Sequence, residues 1–106
     1  MVKNKIDLKT MKGIQRYLGK VREHYNIESA YLFGSYAKGQ THKDSDIDIA
    51  IISSDIKNRC LDGGKMMALT WGINTLIEPH AISMDDYNDN SSWLVREIKT
   101  TGIKVA

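Results

Sequence analysis

Two aspartates, Asp46 and Asp48, alternate within the apolar run Ile47-Asp48-Ile49-Ala50-Ile51-Ile52. Alternate residues of a strand project from one face, about 6.6 Å apart along it. Two carboxylates so placed repel each other unless a cation lies between them. Mg²⁺ suits this arrangement, because it takes oxygen ligands from one or two carboxylates together with substrate phosphates. A pair of such ions can clamp the attacking and leaving oxygens of a displacement. Upstream stands Gly34-Ser35-Tyr36-Ala37-Lys38-Gly39, six residues before Asp46. Gly34 lets a phosphate approach the backbone without meeting a Cβ. Ser35 offers a hydroxyl donor and a good helix N-cap, so a short helix through Tyr36, Ala37 and Lys38, ending at Gly39, would aim backbone N–H groups at an anion. One element grips an anion and its neighbour supplies metal ligands, as a metal–triphosphate site requires. Glu78, in the apolar stretch Leu76-Ile77-Glu78-Pro79-His80, is the candidate third carboxylate, since a lone charge there is costly without a partner.

The elements that must hold these groups follow from periodicity. Leu8, Met11, Ile14, Leu18, Val21 and Tyr25 recur at steps of three and four, which predicts an amphipathic helix over roughly Asp7 to Tyr25. Ser29 to Phe33 reads as a buried strand, Asp46 to Ser53 as the strongest strand, and Thr75 to Ser83 as a third. Leu61 to Asn74 reads as a helix with Met66, Met67, Leu69, Trp71 and Ile73 mostly inward, its start blurred by Gly63-Gly64. Asp85 to Asn90 reads as an acidic loop, and Ser92 as the cap of a last helix ending near Gly102. The expected order is α-β-α-β-α-β-α, a compact α/β (α+β) sandwich.

Composition narrows the classes. The chain has 106 residues and suits one small domain, 1–106. A net charge of +2 gives no overall basic excess, and no basic stripe is evident, so an extended nucleic-acid partner is not expected. The one cysteine, Cys60, allows no intrachain disulfide and reads as a free thiol. No apolar run approaches the ~20 residues of a membrane span, and no signal peptide is evident, so the expected location is cytoplasmic.

The pattern Gly-Ser, ten residues, Asp-x-Asp, carried by Gly34, Ser35, Asp46 and Asp48, resembles the signature of the DNA polymerase β nucleotidyltransferase superfamily. The length resembles its minimal (MNT) branch, whose members pair with HEPN-domain toxins. The resemblance covers Ala30 to Ser83 best. It implies a small mixed β-sheet flanked by helices and Mg²⁺-dependent transfer of a nucleoside monophosphate, AMP from ATP, to an acceptor hydroxyl such as a tyrosine of a HEPN-like toxin. By position it implies that Gly34, Ser35, Lys38 and Gly39 hold the nucleotide. Asp46 and Asp48, with Glu78 on the strand of the third carboxylate, are then the catalytic and metal-binding residues. Lys38 stands where the minimal branch often has arginine, which keeps the charge but loses the planar fork. The alternative is a non-catalytic antitoxin that neutralises its partner by contact.

Other residues have plainer readings. His80 is expected to be a structural histidine. His42 and Lys43, before the aspartates, and Arg59 and Lys65 read as solvated. Trp71 and Trp93, at helical spacing with aliphatics, read as core or interface residues.

Overall fold

The computed structural model describes residues 6–39 and 46–106. Helix α1, Leu8–Arg22, is capped by Asp7, whose Oδ1 accepts from the Thr10 N–H at 3.0 Å. It buries Ile14, Tyr17, Leu18 and Val21, the expected stripe. Strands β1 (Ser29–Phe33) and β2 (Ile47–Ser53) follow, then α2 (Arg59–Ala68), β3 (Ile77–Ser83), α3 (Met84–Tyr87), α4 (Trp93–Thr101) and β4 (Ile103–Lys104). They form one mixed sheet in the order β3-β2-β1-β4. β2 runs parallel to β3, and β1 is antiparallel to both β2 and β4. Pro79 is tolerated because β3 is an edge strand, where a missing N–H costs no ladder bond.

Alternation on β2 divides the core. Ile47, Ile49 and Ile51 pack with α1 and with Met66 of α2 on one face. Ala50 and Ile52 pack with Phe33, Ile82, Val95 and Ile98 on the other, under α4. Helices therefore cover both faces, and the mixed sheet flanked by helices is the expected architecture.

Several expectations are corrected. Residues 34–39 form hydrogen-bonded turns, not a short helix: the Lys38 N–H donates to the Gly34 carbonyl at 3.1 Å and that of Gly39 to Tyr36 at 3.3 Å. Ser35 therefore caps no helix, because the segment is too short to propagate one. α2 starts earlier and stops sooner than expected, capped by Asn58 and running through Gly63-Gly64. Its early stop at Ala68 leaves Trp71 beyond the helix and 74% exposed, and Trp93, on the first turn of α4, is 68% exposed. Neither is a core residue. The acidic stretch after β3 begins with the short helix α3, capped by Ser83. β4 has only two residues, too few to leave a periodic signal. α1 also carries a basic stripe, Lys9, Lys12, Arg16 and Lys20, with Arg22 on another face, and no acidic residue.

Asp62 anchors α2 to the end of α1. It is buried and accepts from Tyr25 Oη at 2.7 Å and from the N–H groups of Lys57 and Asn58 at 2.9 and 3.0 Å. These bonds, the Asn58 N–H foremost, hold its carboxyl below the usual value. Its stabilisation is complete above about pH 4 and fades as pH falls below that. Asp62→Ala is expected to cost about 1 kcal/mol or more, because the buried Tyr25 hydroxyl and two partly buried N–H groups lose their acceptor. Urea unfolding at pH 7 checks this.

Candidate functional site

The candidate site lies at the end of the sheet where β1 stops and β2 and β3 begin. The β2–β3 register pairs Asp48 with Glu78 and Ala50 with His80. Neighbours in a parallel pair share a face, so Asp48, Glu78 and His80 all emerge on the α4 side. Each offers one ligand atom within 4.8 Å of the others. His80 Nε2 lies 3.3 Å from Asp48 Oδ1. The imidazole also packs edge-on against Phe33, with ring centroids 5.0 Å apart, which fixes its orientation. Asp48 and His80 are half-buried, and Glu78 is the most exposed of the three.

Crowding has an electrostatic signature. Glu78 is pushed above its ordinary value, first by burial, then by its hydrogen bond to Asp48 and that group's negative charge, with His80 opposing. A carboxylate held this way gains from a cation beside it. Two hard oxygen donors on adjacent strands fit Mg²⁺, and the imidazole, a softer ligand, suits the role of orienting Asp48. Asp48 and Glu78 could thus hold the metal, with remaining positions left to phosphate oxygens and water.

Gly34 closes β1 with φ +73°, a conformation that favours glycine. A Cβ built there would overlap Asp48 Oδ2. The Asp48 carboxylate thus lies against Gly34, where a phosphate is expected to approach, so the glycine turn and the acidic strand are one unit. Ser35 is half-buried in the turn. Gly39, at φ +72°, ends it with its N–H committed to Tyr36.

The other predicted residues fall less centrally. Asp46 is exposed and immediately precedes β2, outside the three converging ligands. Lys38 Nζ lies 3.5 Å from Glu97 Oε2 on α4, so its charge is paired within the protein. His42 and Lys43 lie outside the described residues. His80, expected to be structural, sits within the cluster. The signal for it was its alternation with Glu78 on the same strand.

The model of the family described as polymerase beta, nucleotidyltransferase, matches residues 12–106. The chain belongs to that family. A protein adenylyltransferase of Shewanella oneidensis, MntA, is 52% identical over 76 residues, 72% of this chain and 51% of the relative. The chain spans about half the length of the first curated relatives it matches. Among solved structures, a Sulfolobus solfataricus chain described as a nucleotidyltransferase superposes with a TM-score of 0.65 at 22% identity, covering 89% of this chain and 77% of that one. A toxin–antitoxin structure with AMP-PNP superposes at 0.59 and 23% identity, covering 91% and 72%. These likenesses establish the nucleotidyltransferase fold. No helix among the described residues is long and apolar enough to cross a membrane.

Proposed function

We propose that residues 1–106 act as one cytoplasmic nucleotidyltransferase domain that moves AMP from ATP to a hydroxyl of a polypeptide, a tyrosine of a HEPN-type toxin partner. The observation that carries this reading is the convergence of Asp48, Glu78 and His80 beside the Gly34 turn. The 52% identity to a protein adenylyltransferase supports the choice of AMP and of a protein acceptor. The toxin–antitoxin neighbours support the class of partner.

The acceptor oxygen forms a bond to the α-phosphorus. The bond from that phosphorus to the β-bridging oxygen breaks, and pyrophosphate leaves. Glu78, its carboxyl held above the ordinary value by burial and by Asp48 beside it, takes the hydroxyl proton. Asp48 and Glu78, with Asp46 in the same sequence pattern, would hold Mg²⁺, which would supply charge neutralisation at the phosphates. The Gly34–Gly39 turn receives the β- and γ-phosphates, with Ser35 as hydroxyl donor. Lys38 exchanges Glu97 for phosphate when nucleotide enters.

Co-expression with a HEPN-type partner followed by intact-mass measurement tests this. A mass gain of one or more AMP units on the partner, absent with Asp48→Ala, is the expected result. An unmodified partner held in a tight inactive complex would establish the non-catalytic antitoxin instead.

A further inference from the structure

The chain's net charge of +2 conceals an asymmetry. The five basic residues of α1 stand without an acidic one, leaving ten basic against thirteen acidic residues in the rest of the chain. Lys9, Lys12 and Arg16 recur at steps of three and four, so they share a helix face over about 10 Å. All three are exposed. They line a groove of about 980 Å³ whose other wall includes Tyr36, Ile73 and Leu76. Asp7, the cap of α1, is the one acidic residue of the lining and is outnumbered three to one, so one side of the groove is net cationic and the other largely apolar.

Its position links it to the candidate site. Tyr36 lies two residues beyond Gly34. Ile47 and Leu76, which also line the groove, are joined by a 2.8 Å hydrogen bond from the Ile47 N–H to the Leu76 carbonyl. Asp48 follows Ile47 directly, and Glu78 follows Leu76 by two. Groove and carboxylates thus occupy opposite faces of the same sheet end. Crossing from one layer to the other is roughly 10 Å, or three to four extended residues.

We propose that this groove docks an acidic segment of the polypeptide acceptor, one bearing apolar side chains, and so presents the acceptor hydroxyl over the starts of β2 and β3. The inference rests on the reading of the site as a protein-directed nucleotidyltransferase. Charge complementarity selects an acidic segment. The apolar wall selects a polypeptide over nucleic acid, which would call for more phosphate contacts and stacking aromatics than the lone Tyr36.

The test uses the whole chain and a labelled peptide of alternating Glu and Leu as the probe. The variant is the triple change Lys9→Gln, Lys12→Gln and Arg16→Gln, which preserves helix propensity, with its melting temperature confirming the fold. The parent is expected to bind the peptide in a salt-dependent manner, and the variant at least tenfold more weakly. Affinity for Mg²⁺–ATP should be the same in both. Equal peptide binding by parent and variant, or none by the parent, would overturn the groove. So would a single-stranded RNA of equal charge that binds more tightly than the peptide. Failure of the parent to bind Mg²⁺–ATP would instead remove the site reading and leave the groove standing.

Discussion

Asp48→Asn is expected to cut metal-dependent nucleotidyl transfer by on the order of 10³-fold while leaving the fold intact. The factor is that for loss of one preorganised electrostatic contact to a transferring group. Asp48 meets three parts of the candidate site: its Oδ1 lies 3.3 Å from His80 Nε2, it crowds Glu78, and it fills the space that the missing Cβ of Gly34 leaves. Removing its charge relieves Glu78, so the carboxyl of Glu78 should move down toward its ordinary value. The variant without ligand should melt at or above the parent's temperature. ATP titrations with and without Mg²⁺ check the coupling. The parent should show metal-dependent affinity, and the variant should lose that dependence. Transfer within tenfold of the parent would remove Asp48 from the reaction.

Gly34→Val should harm both stability and nucleotide binding. At φ +73° a β-branched residue is strained by about 2 kcal/mol or more. Its Cβ would also displace the Asp48 carboxylate from its place beside His80. Gly34→Ala meets the same overlap with less strain, so it should unfold less readily and still bind Mg²⁺–ATP poorly. Urea unfolding separates the two effects from an ATP titration of each variant. A Gly34→Val protein that melts like the parent and binds nucleotide normally would remove the glycine from both roles.

Sequence alone determined what depends on local spacing. The stripe Ile14, Leu18 and Val21 announced α1, since burial on one side of a helix demands that period. The run from Ile47 to Ile52 announced the strongest strand. Gly34 was legible because a glycine after a strand lets an anion approach the backbone, and Asp48 because a charge among isoleucines is costly unless it serves something. Ser92 was legible as a cap from its own chemistry.

Tertiary structure decided what depends on distant partners. The parallel register that sets Glu78 beside Asp48 comes from strand pairing across 30 residues, and no local pattern encodes it. His80 joined the cluster for that reason, while Asp46, equally visible in the sequence, fell at the exposed end of its strand. Lys38, expected to face the nucleotide, is paired with Glu97 because α4 packs beside the turn. Trp71 and Trp93 had the right spacing for a core, but α2 ended early and α4 turned its other face inward. The basic face of α1 was present in the sequence all along. Only the fold set it against apolar residues at the same end of the sheet as the carboxylates, because a groove is made by elements far apart in the chain.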